Sequence, residues 1–68
     1  MYGQQPQLDS KNLSYLEDSM SYEALAVKKC QQYATQFQDP VLKDMASQLA
    51  QHHRQHYDTL LNYLQSHQ

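Results

Sequence analysis

The sequence predicts an all-α fold, an antiparallel hairpin of two long amphipathic helices that dimerises into a four-helix bundle. Three observations predict it. A largely apolar stripe recurs at alternating spacings of three and four from Leu13 to Phe37, and another at spacings of three and four from Leu42 to Leu64. The two runs meet at Asp39-Pro40. No other helix breaker falls inside either run, because the remaining proline and the single glycine are Pro6 and Gly3.

The elements follow in chain order. Residues 1–8 contain Gly3, Pro6 and three glutamines without periodicity, the pattern of a flexible tail. Residues 9–68 form one helical domain. Asp9 or Ser10 can cap the first helix by accepting a hydrogen bond from a free backbone N–H of its first turn. That helix is expected over about residues 10–38. Its seam is Leu13, Leu16, Met20, Glu23, Val27, Cys30, Ala34 and Phe37, apolar except at Glu23 in the middle. The turn is expected at 39–40. A residue before proline is pushed out of the α region, proline suits the first helical position, and aspartate is a strong N-cap. Asp39 and Lys43 can pair one helical turn apart. The second helix is expected over about residues 40–66, with Leu42, Met45, Leu49, His53, His56, Leu60 and Tyr63 or Leu64 on one stripe. It frays near Ser66, leaving His67 solvated. Each helix should be roughly 40 Å long at about 1.5 Å per residue.

A chain of 68 residues is marginal as a monomer. Each helix also carries more apolar surface than one neighbour can cover. Tyr15, Tyr22, Ala26 and Tyr33 widen the first stripe, and Val41, Ala46, Ala50, Tyr57 and Leu61 widen the second. A two-fold dimer is the commonest remedy. Its core is expected to hold Leu13, Leu16, Met20, Val27, Cys30, Met45, Leu49 and Leu60. Cys30 is the only cysteine, so an internal disulfide is excluded. It serves either as a small apolar core residue or as a link between chains.

Composition narrows the function classes. Net charge is −2 and the longest basic run is Lys28-Lys29, which argues against a nucleic-acid partner. No apolar run approaches the roughly 20 residues needed to span a bilayer. The first residues lack an apolar signal segment, so an intracellular location without a membrane partner is expected. No glycine-rich phosphate loop and no nucleophile beside a base is present, and no catalytic residue is assigned. Six tyrosines and twelve glutamines suit surfaces that meet other proteins.

Glu23, His53 and His56 interrupt the two seams at one level. Glu23 lies sixteen residues before Asp39 and the histidines fourteen and seventeen after it, or about 24, 21 and 26 Å from the turn. A carboxylate or imidazole in an apolar seam must be paired or bound to metal. His53 and His56, at i and i+3, can turn both rings toward one ion. The same three groups can instead satisfy one another as a metal-free polar layer that fixes helix register. His52, one step off the stripe, is a weaker ligand candidate.

The stretch from Leu16 to Leu64 resembles half of a ferritin-like, rubrerythrin-type bundle. The resemblance rests on the helix bearing Glu23, the Asp39-Pro40 junction, and Ala50-Gln51-His52-His53-Arg54-Gln55-His56-Tyr57 in place of an acidic run ending in Glu-x-x-His. Size and the Gln/Tyr-rich texture are similar to the spore coat protein F family of spore-forming bacteria. The resemblance implies a ferritin-like dimer with Glu23, His53 and His56 as metal ligands, a spore-coat location, and contacts with other coat-like proteins. Here His53 stands where that pattern has glutamate. Fewer carboxylates disfavour oxygen-activating di-iron chemistry, and imidazole favours Zn(II), Cu(II) or Ni(II). No cofactor is firmly implied, with Zn or Fe the candidates. The expected function is that of a non-enzymatic structural subunit. The alternatives are a metal-binding protein with this Glu/His site, or a helical interaction module for another protein.

Overall fold

The computed structural model describes residues 8–67. It contains two α-helices, α1 (Ser10–Gln36) and α2 (Pro40–Ser66), packed against each other as a hairpin. No strand occurs among the described residues. Apart from Leu8, the tail expected over 1–8 lies outside the described residues, as does Gln68.

Side-chain caps set both helix starts. Asp9 Oδ1 accepts from the Asn12 backbone N–H at 2.7 Å, and Asp9 Oδ2 accepts from the Asn12 amide at 3.3 Å. Asp39 Oδ1 accepts from the Val41 N–H at 2.8 Å, with Pro40 in the first turn. These bonds satisfy donors that have no partner inside the helix. The carboxylate of Asp39 thus serves the backbone. Among the described residues, the only ion pairs are those of Glu23, so the expected pairing of Asp39 with Lys43 does not form.

The first helix ends at Gln36, two residues before the expected end at 38. Phe37 has ψ 136° and Asp39 ψ 122°, both extended. Reversing the chain takes more backbone than the residue before proline alone. The Phe37 N–H still bonds to the Tyr33 carbonyl at 2.9 Å, and the two rings lie 6.4 Å apart. At the far end, His67 closes α2 instead of standing free in solvent. Its ring stacks on Tyr63 at 3.9 Å, and its Nδ1 is 2.7 Å from the Tyr63 carbonyl oxygen. An imidazole N–H there satisfies one of the last orphan carbonyls.

The contact between the helices is uneven. On α1 the half-buried positions are Leu13, Leu16, Met20, Glu23, Ala26, Val27, Cys30 and Ala34, which is the expected seam plus Ala26 and without exposed Phe37. On α2 the expected stripe is corrected by one position. Ala46 and Ala50 are the only buried residues among the described ones, each 6% exposed, and they are followed by half-buried His53, Tyr57, Leu60, Leu61 and Leu64. Met45 and Leu49, expected in the centre, stand 54% and 49% exposed on the flank. The cause is size, since alanine lets two helix backbones approach and a longer side chain moves aside. His53, Leu60 and Leu64 belong to both stripes.

Candidate Glu-His site

Both helices have 27 residues. Thirteen residues of α1 precede Glu23 and thirteen follow it, and His53 has the same place in α2. Because the helices run antiparallel from a tight turn, their midpoints meet. An α-helix sets residues three and four apart on one face, so His53 and His56 share a side of α2.

The contact between the helices here is short. His53 Nδ1 lies 2.5 Å from Glu23 Oε1, a close hydrogen-bond contact in which a ring N–H donates to the carboxyl oxygen. His56 Nδ1 lies 3.6 Å from the same oxygen, within reach of an ion pair but beyond a direct hydrogen bond. The Tyr22 ring meets the His53 ring edge to face at 6.4 Å, and the His53 and His56 rings stand nearly perpendicular at 6.0 Å. Tyr22 was absent from the sequence-derived site. The signal for it was its place beside Glu23 on the edge of the α1 seam.

Burial falls off across the cluster. The side chains of Glu23 and His53 are 15% and 24% exposed, whereas that of His56 is 63% exposed. Within the hairpin, Glu23 and His53 face the opposite helix, whereas His56 stands at the edge of the contact. The rotation of α2 that buries Ala46 and Ala50 carries His56 onto the flank with Met45 and Leu49. His52 is exposed and outside the cluster, and Cys30 is a half-buried free thiol. Met45 and Leu49, expected in a dimer core, lie on this open flank, while Leu13, Leu16, Met20, Val27, Cys30 and Leu60 line the space between the helices.

One donor atom from each of Glu23, His53 and His56 lies within 4.8 Å of the others. Two imidazoles and one carboxylate are a donor set that Zn(II) accepts, with a fourth position left open. Two ligands on one tetrahedral ion with bonds of about 2.0–2.1 Å are roughly 3.3 Å apart. The Glu23–His53 contact is shorter, so an ion would have to replace this hydrogen bond and spread the pair by about 1 Å. The donor chemistry fits, and the geometry is that of a satisfied polar layer. On the other flank, Arg54 and Asp58 line a shallow groove with Ala24, Val27 and Tyr57, with no comparable convergence of donors.

No helix among the described residues is long and apolar enough to cross a membrane. The chain is 34% identical over 58 residues to the uncharacterized protein YuzM of Bacillus subtilis (strain 168), a match that covers 85% of this chain and 72% of that protein. No family model matches the chain. No solved structure matches it.

Proposed function

We propose, from the premise that this chain belongs to the YuzM family, that it is a non-enzymatic structural subunit that works as a homodimer. Two hairpins close into a ferritin-like four-helix bundle, and the bundle takes part in a larger, spore-coat-like assembly. One observation carries this reading. Only Ala46 and Ala50 are buried in a pair of 27-residue helices. Burial of apolar surface is the main favourable term in folding, and two buried methyl groups beside a seam that is only half-buried supply little of it. A second hairpin supplies the missing core. The Glu23–His53 bond then acts as an interior polar contact that holds the helices in register.

A second reading is favoured by the convergence of the Glu23, His53 and His56 donor atoms. In that reading the subunit binds Zn(II) or another imidazole-preferring ion, and Fe less readily. Native mass spectrometry of the untagged chain, with and without added Zn(II) and Fe(II), tests both. The structural reading expects a dimer without metal, and stability unmoved by chelator. The metal reading expects one or two ions per dimer, lost in Glu23→Gln. A chelator would then lower the melting temperature, since a ligand stabilises the state that binds it. A monomer at all concentrations defeats the homodimer.

A further inference from the structure

The two long flanks of the hairpin are chemically opposite. One carries Tyr15, Tyr22 and Tyr33 from α1 and Leu42, Met45 and Leu49 from α2, all 41–65% exposed. The helical repeat puts each set of three on one side of its helix. The Glu23–His56 and Tyr22–His53 contacts show that the two sides adjoin, because they reach across from α1 to α2 on this flank. The other flank carries Glu17, Gln31, Ser47, Gln51, Arg54 and Asp58 along shallow grooves.

We propose that the Tyr/Leu/Met flank is the surface on which a second copy of this chain docks two-fold symmetrically, with Glu23 and His53 of the two copies at one level. This rests on the dimer reading above and adds the face and register to it. Area supports the choice. With Tyr63, 48% exposed, the exposed parts of these side chains offer up to about 800 Å², the scale of one partner's share of a standard interface. Chemistry supports it too. The carboxylate of Glu23, the acidic group nearest the centre of this flank, already accepts a hydrogen bond from His53, so two copies meet there without an unpartnered carboxylate.

Symmetry supports the register. Glu23 and His53 are the midpoints of their helices. Full overlap of two hairpins therefore sets one polar layer against the other, whether the two turns lie at the same end or at opposite ends. Any other register would press the exposed ring of His56 of one copy onto the apolar rows of the other, burying an imidazole without a hydrogen-bond partner. In the docked pair the exposed ring of His56 is covered, and the second copy's Glu23 and His53 complete its surroundings.

The test compares flanks in the full chain. Leu49→Glu and Met45→Glu are set against Ser47→Glu and Gln51→Glu, with dissociation constants from analytical ultracentrifugation. The first two are expected to weaken the dimer by about 100-fold or more, as for residues central to an interface. The second two should change it less than about 3-fold, as for surface sites. A readout that does not depend on refolding accompanies them, the thiol-labelling rate of Leu49→Cys and Gln51→Cys in a Cys30→Ala background. Protection of the first thiol alone supports the proposal. A dimer split by Gln51→Glu but not by Leu49→Glu, or one that labels both thiols equally fast, overturns the face while the dimer reading stands. A native chain that stays monomeric overturns both, and a different partner then covers the flank.

Discussion

Two levels of the helix–helix contact solve the same problem in opposite ways. Near the turn, Ala46 and Ala50 bring α2 close to α1 with the smallest side chains that still exclude water, and both are buried. At mid-height the gap is filled by Glu23 and His53, held by a 2.5 Å hydrogen bond and still partly open to solvent. The alanine level sets distance, because a larger side chain there would hold the two backbones further apart. The polar level specifies partner and height, because a hydrogen bond forms in one alignment only. A hairpin this thin uses both, with close packing near its hinge and a directional contact at its centre.

The sharpest way to break the comparison is to enlarge the alanine level. Ala50→Leu should destabilise the protein by about 2–3 kcal/mol, as overpacking does in well-filled contacts. Urea unfolding followed by circular dichroism measures it, and a neutral result would mean that the helices slide apart freely there. The polar level should behave differently. Glu23→Leu combined with His53→Leu is expected to leave stability unchanged or raise it by about 1–2 kcal/mol, since well-packed apolar replacements of a charged pair are often neutral or favourable. Loss of dimerisation in that double variant would show that the layer specifies the assembly and cannot be replaced.

Two smaller changes probe the ends, where the helices depend on local hydrogen bonds alone. Asp39→Ala removes the acceptor for the Val41 N–H and should cost about 1 kcal/mol of unfolding free energy. An unchanged denaturation midpoint would mean that Pro40 fixes the start of α2 without its cap. His67→Ala removes the contact with the Tyr63 carbonyl. It should cost about 0.5 kcal/mol, the scale of one interaction at an exposed helix end. Faster amide exchange confined to the last turn of α2 would locate the loss there.

Much of the fold was legible because its signals are local. The Asp39-Pro40 junction announces a helix boundary through backbone sterics alone, and the three-four spacing of α1 names a face that is the one in contact. The face of α2 was harder to read. Its apolar residues cover a broad arc, and pattern reading favours the largest of them, Met45 and Leu49, over the alanines beside them. Which part of that arc meets α1 depends on how closely the backbones approach, a property of both helices together. The candidate site was half legible for the same reason. Counting residues from the turn placed Glu23 and His53 level with each other, and they bond. The outward position of His56 follows from the rotation of α2, which counting along a helix does not contain.

The central position of the polar pair has a consequence for orientation. A rod marked only at its middle looks the same from either end, so in the proposed dimer Glu23 and His53 would match their counterparts whichever way the second hairpin points. Direction must then be chosen by the ends, where Phe37 and Leu42 near the turn differ from Tyr15 and Tyr63 at the open end. Moving the Glu–His pair one heptad toward the turn would change that. It would keep the match for two hairpins with their turns together and separate the pairs by two heptads, about 21 Å, for hairpins with their turns apart. In the proposed dimer, a midpoint mark would thus leave direction to be set by the tips.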